Sequence, residues 1–272
     1  MGQTIACANQ KGGVGKTTTV VNLATYLGLS GERVLVVDLD PQGNATSGFG
    51  IDRGTLESSV YDAVVDLEDL RSLVVPTRVA NVELVPSSIA LAGAEIELAP
   101  VEQRERRLAR VLREAARDVD YILLDCPPSL GLLTVNALTA AQSVLVPLQC
   151  EYYALEGLSQ LIATIDLVRD HLNPQLQLKG VVLTMYDART NLSADVAAEV
   201  RRHLDGAVFD TVIPRSVRLS EAPSHGLPIE LYRPDSPGAA AYRQLAEELR
   251  ARDGRVNALD SREERVPEAI PA

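Results

Sequence analysis

The chain has 272 residues, of which 46% are hydrophobic and 23% are charged, an ordinary composition for a globular protein. Its formal net charge of −11, taken alone, argues against a nucleic-acid-binding protein, although a local basic patch is compatible with that total. The longest apolar runs are strand-sized and too short to span a bilayer, and the N-terminus lacks the layout of a signal peptide. We therefore expect a cytosolic protein with no membrane partner.

Apolar runs of strand length alternate with amphipathic helical patterns from the N-terminus onward. Val20, Leu23, Ala24 and Leu27 recur at helical spacing and indicate the first helix, which Gly31 is placed to end. The same spacing recurs at Leu108, Val111, Leu112 and Ala115. Further helices are predicted over residues 152–170, 193–204 and 238–251. Strands are predicted over residues 4–8, 33–38, 84–85, 121–125, 143–147 and 178–184.

Strands that are apolar almost throughout, separated by helices, are typical of a parallel sheet covered on both faces. The predicted fold is therefore α/β, with a doubly wound, mostly parallel sheet flanked by helices. Such sheets bind ligands at the carboxyl ends of their strands. We expect one domain over residues 1–252. Residues 253–272 carry charges of both signs together with a glycine and two prolines, and we expect them to form a disordered tail.

The stretch QKGGVGKTT at residues 10–18 almost fits the phosphate-loop pattern G-x-x-x-x-G-K-[ST]. Gly15, Lys16 and Thr17 stand where the pattern requires them, but Gln10 replaces the first glycine and Lys11 is an additional lysine. A glycine-rich turn between a strand and a helix exposes backbone N–H groups to an anion, and the helix N-terminus adds its positive end. Lys16 can then reach the outer phosphates, and the Thr17 hydroxyl can hold Mg²⁺.

Two carboxylates end apolar strands, where a second contact to that metal ion is expected. Asp125 closes the run YILLD, and Asp38 closes VLVVD. A strand-terminal aspartate is the usual second metal contact of such folds, and Asp125 is the stronger candidate. Asp38 is expected to support the metal shell or the loop, and either residue could instead cap a helix. Asp40, in DPQGN, can orient a water that attacks a γ-phosphate, although these letters are also typical of a turn.

Several further stretches combine with the loop into a specific set. KGGVGKTTT resembles the deviant Walker A motif, and VVDLDPQGNATSG resembles its companion switch segment. With LLDCPPSLGLLTVNAL, QCEYYALEGLSQL, LTMYDARTNLS and VIPRSVRLSEAPSHG, the chain resembles the ParA/Soj chromosome-partitioning ATPases, which are P-loop NTPases of the deviant Walker A type. The resemblance runs from about residue 3 to about residue 250.

The resemblance implies a role for the additional lysine and for each motif residue. Lys11 is implied to reach across a dimer to the phosphates of the other subunit. Lys16 is implied to grip the phosphates and Asp40 to position the hydrolytic water. Thr17 and Asp125 are implied to hold Mg²⁺, with Asp38 in support. The implied nucleotide contacts are Lys11, Gly12, Gly13, Val14, Gly15, Lys16, Thr17, Thr18, Pro214, which packs the adenine, and Ser216, where relatives often have asparagine.

The resemblance also implies cofactors and partners. ATP and Mg²⁺ are expected to drive a sandwich homodimer that binds double-stranded DNA on the nucleoid without sequence preference. A ParB-like centromere-binding protein is expected to stimulate an otherwise slow hydrolysis. Arg189 and Arg218 stand at the matching basic positions. Without the resemblance, the simpler interpretation is that these arginines pair with Asp187 and Glu221 at the surface.

Three other functions share this nucleotide fold. A membrane-cycling ATPase of the MinD type would need a C-terminal amphipathic membrane helix, whereas the apolar stripe from Tyr242 to Leu249 predicts a core-facing one. An electron-transfer ATPase like the nitrogenase iron protein would need cluster-binding cysteines, but neither Cys126 nor Cys150 lies in a glycine-flanked loop. An amidating ligase would need a second catalytic domain, which the sequence does not reveal.

Overall fold

The structure, a computed structural model, describes residues 2–151, 154–204 and 206–255, with the backbone alone for residues 154–156. Its strands are β1 (Gln3–Cys7), β2 (Val34–Asp38), β3 (Val75–Pro76), β4 (Val82–Val85), β5 (Tyr121–Asp125), β6 (Ser143–Gln149), β7 (Gln177–Tyr186) and β8 (Val208–Pro214). They form one sheet in the order β3-β4-β2-β5-β1-β6-β7-β8. Neighbouring strands run parallel except β3 and β4.

The helices lie between these strands along the chain. They are α1 (Lys16–Leu29), α2 (Asn44–Gly48), α3 (Val60–Val65), α4 (Leu91–Glu97), α5 (Arg107–Ala115), α6 (Leu132–Ala140), α7 (Ala154–His171), α8 (Asn191–His203), α9 (Val217–Glu221), α10 (Ile229–Tyr232) and α11 (Pro237–Arg252). Short 3₁₀-helices lie at Arg53–Thr55, Leu70–Leu73, Arg104–Arg106 and Ala222–His225. The predicted fold, a mostly parallel sheet flanked by helices, is confirmed.

The central strands are buried on both faces, which explains why their sequences show continuous apolar runs. Successive side chains of a strand point to opposite faces, so Val36 and Leu123 join one apolar cluster while Val37 and Leu124 join the other. Every residue of β2 and β5 is buried. Each fully buried Val or Leu contributes about 1.5–3 kcal/mol relative to exposure, so these two strands anchor both layers of helices.

The predicted strands and helices agree with the observed bounds within two residues, except that residues 152 and 153 lie outside the described residues. Two strands were not predicted. The two-residue β3 is too short for a periodic signal, and β8 (VFDTVIP) carries the exposed Asp210. At the edge of a sheet, polar residues face solvent and interrupt the apolar run. Periodicity alone therefore misses such strands.

Asp253 and Arg255, the described residues at the start of the predicted tail, make contacts with the core. The Asp253 carboxylate is buried, contacts Lys179 Nζ and accepts a hydrogen bond from Tyr121 Oη at 2.9 Å. Arg255 Nη1 lies 2.8 Å from Glu32 Oε2. These contacts follow α11 directly and hold the chain under the amino ends of the strands. Residues 256–272 lie outside the described residues, so the rest of the tail remains a prediction.

Candidate nucleotide site

A cavity of about 560 Å³ opens at the carboxyl edge of the sheet, beside the loops that follow β1 and β2. Parallel strands all end at this edge, which brings segments distant in sequence together. Of the residues predicted from sequence, the cavity wall contains Gly12, Gly13, Gly15, Lys16, Thr17, Thr18 and Asp40. Its wall also includes residues that the sequence analysis did not identify, among them Gln42, Asn44, Pro128, Met185, Leu219 and Pro223.

The loop between β1 and α1 has the geometry of an anion cradle. Gly13 and Gly15 have φ angles of 74° and 89°, a left-handed conformation that glycine adopts without steric cost. The crest at Gly12 and Gly13 is exposed, whereas Val14 is buried. The Val14 carbonyl accepts a hydrogen bond from the Thr184 hydroxyl at 2.8 Å, so the loop is attached to β7. Because α1 starts at Lys16, its free N–H groups face the cradle.

Asn9 braces this loop, and sequence analysis missed it. Its Nδ2 donates to the Pro147 carbonyl at 2.8 Å, and its Oδ1 accepts from the Lys11 N–H at 3.0 Å. Asn9 is buried, so both hydrogen bonds lie away from water, where losing one partner costs about 1–3 kcal/mol. Its position directly before the glycine loop was the only available signal.

Lys16 is almost fully buried at the inner wall of the cavity, with 6% of its surface exposed. Its Nζ donates to the Lys11 carbonyl at 3.1 Å. Burial lowers the pKa of this ammonium group, and the nearby Cys7 and Asp125 oppose that shift. A buried cation of this kind gains strongly from an anionic ligand, because little water screens the interaction.

Asp38 and Asp125 end adjacent strands as register partners, and both are fully buried. Asp38 Oδ2 accepts hydrogen bonds from Thr46 N at 2.8 Å and Thr46 Oγ1 at 2.7 Å. Neither carboxylate oxygen of Asp125 has a hydrogen-bond partner among the described residues. Burial raises the pKa of Asp38 to about 6. Burial, followed by the charge of Asp38, raises the pKa of Asp125 well above its usual range.

The unpartnered Asp125 carboxylate fits a divalent cation. Mg²⁺ prefers oxygen ligands and is usually held by one or two carboxylates, water and substrate phosphates. The Thr17 hydroxyl and the Lys16 ammonium lie close enough to Asp125 to oppose its pKa shift. The Asp38 oxygens instead accept hydrogen bonds from Thr46 and from the Asp40 N–H. The geometry therefore favours Thr17 and Asp125 as metal contacts, with Asp38 as support for the loop.

Asp40 lies in the same cavity, with 7% of its surface exposed. Its Oδ1 accepts a hydrogen bond from Gln42 N at 2.9 Å, and its own carbonyl accepts one from Ser87 Oγ at 2.7 Å. The stretch DPQGN does form a turn, closed by the Gly43 N–H on the Asp40 carbonyl at 2.8 Å. The turn and the predicted role are compatible, because the turn holds the carboxylate at the cavity wall.

Lys11 is exposed at the crest of the loop, and its Nζ lies 3.0 Å from Glu151 Oε2. Arg215 Nη2 approaches the other oxygen of Glu151 at 4.0 Å. Ion pairs this exposed are typically worth about 0–1 kcal/mol, so Lys11 can leave Glu151 for a stronger partner. The role of Lys11 toward a second subunit remains a prediction.

Pro214 and Ser216 do not belong to the cavity wall. Pro214 ends β8 and pairs with Tyr186 of β7, the residue that follows Met185. Apolar contacts in the cavity come instead from Met185, Leu219 and Pro223. The adenine contacts of Pro214 and Ser216 stay predictions. Met185 is the penultimate residue of an apolar strand, which was the signal that could have identified it.

Arg189 and Arg218 make the surface ion pairs that the simpler interpretation predicted. Arg189 donates through Nε and Nη2 to the two oxygens of Asp187 at 2.8 and 2.7 Å. Arg218 Nη1 lies 2.8 Å from Glu221 Oε2. The side chain of Arg189 is 85% exposed and that of Arg218 is 51% exposed, so a phosphate can reach both guanidinium groups.

Known proteins show similarity over almost the whole chain. A family described as an AAA domain matches residues 2–178. The sporulation initiation inhibitor protein Soj of Bacillus subtilis (strain 168) is 59% identical over 251 residues, covering 92% of this chain and 99% of that protein. The chromosome partitioning protein ParA of Myxococcus xanthus (strain DK1622) is 52% identical, covering 93% of this chain and 89% of that protein.

Solved structures show the same fold. Cobyrinic acid a,c-diamide synthase from Mycobacterium smegmatis, with bound ATP analog and magnesium, superposes with a TM-score of 0.82 at 40% identity, covering 94% of this chain and 98% of that one. The cell division ATPase MinD from Pyrococcus furiosus gives a TM-score of 0.78 at 26% identity, covering 92% and 99% of the two chains.

A mostly parallel sheet with a glycine loop, a buried lysine and strand-terminal acids defines a P-loop ATPase of the MinD/ParA type. Within this class, the chain belongs to the Soj/ParA family of chromosome-partitioning ATPases, since relatives with those names are 49–59% identical over most of its length. The predictions of this family and of an ATPase are confirmed. ATP and Mg²⁺ are confirmed as the family's cofactors, since the M. smegmatis structures hold an ATP analog or ADP with magnesium.

Proposed function

We propose that this chain is the dimerising ATPase of a DNA-segregation system in the cytoplasm. ATP joins two copies into a sandwich dimer, which binds duplex DNA of the nucleoid without sequence preference. A ParB-like centromere-binding protein stimulates hydrolysis, and the dimer then separates and leaves the DNA. The proposal extends the family assignment to dimerisation, DNA and a protein partner.

The arrangement of the glycine loop carries this proposal. Lys16 and Asp40 are buried at the cavity wall and Asp125 is buried close to Lys16, while Lys11 and Gly12 are exposed at the crest of the loop. Lys16 is already placed to contact the phosphates of the nucleotide bound by its own subunit, so an exposed second lysine is not needed for that contact. It is well placed for phosphates presented by another subunit. Small residues beside it allow a second backbone to approach closely.

Hydrolysis would depend on residues in separate roles. Lys16 would neutralise the phosphates, Thr17 and Asp125 would hold Mg²⁺, and the metal would neutralise charge on the phosphate oxygens. Asp40 would accept a hydrogen bond from the attacking water and hold it in line with the γ-phosphate. The Gln42 N–H bond to Asp40 supports this role, because it leaves the second carboxylate oxygen free for water.

DNA binding by an acidic chain would require pairing of weak sites. Arg189 and Arg218 are engaged with neighbouring carboxylates, but exposed ion pairs are weak and a DNA phosphate can replace the carboxylate. A single patch that binds at about millimolar contributes about −4 kcal/mol. Holding two such patches rigidly in a dimer can raise avidity by about 10²–10⁴-fold without a new contact. DNA affinity would then be high for the ATP-bound dimer and low for the ADP-bound and nucleotide-free forms.

The alternative functions have less support. No described helix has the length and apolar character needed to cross a membrane, and the apolar stripe of α11 is buried in the core as predicted. Cys7, Cys126 and Cys150 are buried free thiols, and no described group of three or more His, Cys, Asp or Glu side chains could hold a metal ion on its own.

The M. smegmatis structure has the name of an amidating enzyme. This chain covers 98% of that chain at 40% identity, whereas the relatives named Soj or ParA are 49–59% identical, which supports the partitioning function over the amidating one.

The test is a salt titration of duplex binding with ATP, with ADP and without nucleotide, using two unrelated duplex sequences. We expect the ATP form alone to sediment as a dimer and to bind both duplexes. The slope of log affinity against log salt should be about −0.9 per phosphate contacted. Equal DNA affinity in all three states, or an ATP form that stays monomeric, would contradict the proposal even if the protein hydrolyses ATP.

A further inference from the structure

One arginine outside the predicted site holds the turn that carries Asp40. Arg53 begins the short 3₁₀-helix that follows α2, ten residues or more beyond the turn. Its Nη2 donates to the Pro41 carbonyl at 2.8 Å, and its Nη1 donates to the Gln42 carbonyl. These two carbonyls lie at the centre of the turn, which the Gly43 N–H closes on the Asp40 carbonyl. One planar guanidinium group therefore clamps two consecutive peptide units.

The Arg53 side chain also lies close to Gly43. A Cβ atom at position 43 would come within 2.5 Å of Arg53 Nε and 2.7 Å of Arg53 Cζ, closer than any real contact. The φ angle of Gly43 is 64°, which further favours glycine. The turn therefore favours glycine at position 43, and a larger residue there would also displace the Arg53 side chain.

This contact has a cost, which suggests that it serves a purpose. Arg53 Nε is buried and has no hydrogen-bond partner among the described residues. Leaving a donor unpaired is unfavourable, and such groups in native proteins call for an explanation. A lysine could place one ammonium on one carbonyl without this penalty. Only the fork of an arginine reaches both carbonyls at once.

The clamp completes the support of Asp40. On one side, the Asp40 N–H donates to Asp38 Oδ1 at 3.2 Å, and Ser87 Oγ donates to the Asp40 carbonyl at 2.7 Å. These bonds fix the backbone of Asp40 but not its carboxylate. The carboxylate is oriented by the Gln42 N–H, and Gln42 is held by Arg53. Arg53 itself is not part of the cavity wall, so it acts from behind the turn.

We propose that Arg53 is a positioning residue for Asp40. It holds the Pro41–Gln42 segment so that the Gln42 N–H keeps the Asp40 carboxylate directed into the cavity. The inference rests on the proposed hydrolytic role of Asp40. Without the two Arg53 hydrogen bonds, the turn still forms, but the Pro41–Gln42 segment and the Asp40 carboxylate become more mobile. The Asp40 carboxylate is not needed to bind ATP, so loss of the Arg53 hydrogen bonds should lower kcat without weakening ATP binding.

The test compares Arg53→Ala and Arg53→Lys with Arg71→Ala. Arg71 is a matched control, because it also donates to a backbone carbonyl, that of Glu114 at 3.0 Å, near the amino end of β5 and away from the cavity. We expect Arg53→Ala to lower kcat by about tenfold, since small misplacements of a reacting geometry are costly. The Kd for ATP should stay within about twofold, as expected when an interaction acts only on the chemical step. Arg53→Lys should recover part of kcat, and Arg71→Ala should keep it.

Amide hydrogen exchange supplies a second readout that a general loss of stability would not produce. In Arg53→Ala, exchange should quicken at Gln42 and Gly43 and stay unchanged at Thr19 in α1, whose N–H donates to the Gly15 carbonyl at 2.8 Å. Faster exchange in both segments, or an equal loss of kcat and ATP affinity, would overturn the proposal.

A double variant separates this inference from the proposed function. If Arg53 acts through Asp40, then Arg53→Ala should cause no further loss of kcat in an Asp40→Asn background. A full additional loss in that background would overturn the inference while leaving the role of Asp40 intact. If Asp40→Asn itself keeps normal turnover, the hydrolytic role is wrong, and the exchange data then show independently whether the clamp exists.

Discussion

Asp38 and Asp125 are register partners at the ends of two adjacent parallel strands, and the two buried carboxylates are treated differently by their surroundings. Thr46 donates two hydrogen bonds to Asp38, whereas the Asp125 oxygens have no partner among the described residues. A buried carboxylate without a partner is unfavourable unless it is protonated or meets a cation. The charged form of Asp125 is therefore unfavourable in the folded chain, and a bound cation would favour it.

Replacing Asp125 by asparagine should stabilise the nucleotide-free protein and remove its response to Mg²⁺. We expect the free energy of unfolding at pH 8 to rise, because burial disfavours the charged form of Asp125 and asparagine carries no charge. ATP affinity of the variant should no longer increase with added Mg²⁺. Calorimetric titrations with and without Mg²⁺ check this, with Thr46→Val as a control that removes the hydroxyl bonded to Asp38 and to the Ser87 N–H but leaves Asp125 in place.

The raised pKa values of Asp38 and Asp125 predict how the free energy of unfolding changes with pH. A carboxyl group whose pKa is higher in the folded chain keeps a proton that the unfolded chain has released, so stability falls as pH rises through that interval. For Asp38 the interval runs from its usual pKa of about 4 to about 6. The pKa of Asp125 is also raised in the folded chain, so the gain from Asp125→Asn should be absent near pH 4 and grow as pH rises. A gain that is independent of pH would show that packing, not charge, limits stability.

Lys11 and Lys16 should have separable effects. Lys16→Ala removes the buried cation of the cradle, so we expect ATP binding to become undetectable. Lys11→Ala removes an exposed cation with a weak intramolecular partner, so monomeric ATP affinity should stay within about threefold while ATP-driven dimerisation is lost. Calorimetry measures the first quantity and sedimentation the second. Equal loss of ATP affinity in both variants would contradict this division of roles.

Asp40→Ala should bind ATP and dimerise but hydrolyse slowly. The carboxylate is needed to orient water in the transition state and not to hold the ground state, so its removal should lower kcat without weakening binding. The ATP-bound dimer should accumulate on size-exclusion chromatography. A variant that remains monomeric with ATP would show that Asp40 serves the structure of the turn.

Reversing the charge of Arg189 or Arg218 should abolish DNA binding and spare dimerisation. Both side chains are exposed, so glutamate at either position should cost little stability. Arg202→Glu is the matched control, because Arg202 is also exposed and paired, with Glu199, at the far end of α8. Filter binding of duplex DNA with ATP measures the outcome. Similar losses in all three variants would indicate a nonspecific effect of net charge.

The ordered segment after α11 should contribute to stability. Asp253→Ala removes the carboxylate partner of the half-buried Lys179 and the acceptor for the Tyr121 hydroxyl, although Lys179 keeps its hydrogen bond to Gln3 Oε1 at 3.0 Å. Removing one partner of such hydrogen bonds typically costs about 1–3 kcal/mol. Asp118→Ala, which removes an exposed partner of Arg71, should cost less than about 1 kcal/mol. Urea unfolding curves of the two variants compare these values, and equal midpoints would mean that the Asp253 contacts add nothing.

The sequence by itself determined what depends on local spacing. The glycine loop could be located because a left-handed turn, an anion cradle and a helix start are all set by neighbouring residues, here from Gly13 to Lys16. The buried strands could be predicted because burial on both faces demands an unbroken apolar run. Asp125 could be singled out because it directly follows such a run.

Only the tertiary structure decided which distant groups meet. Asn9 braces the glycine loop from a carbonyl 138 residues away, and Lys11 pairs with Glu151 at a separation of 140 residues. Asp253, at the end of the last described helix, closes on Lys179 of an interior strand. Arg53 clamps the turn of Asp40 through backbone carbonyls, which every residue carries alike. No local pattern encodes such contacts, because they depend on the order in which the strands assemble into the sheet.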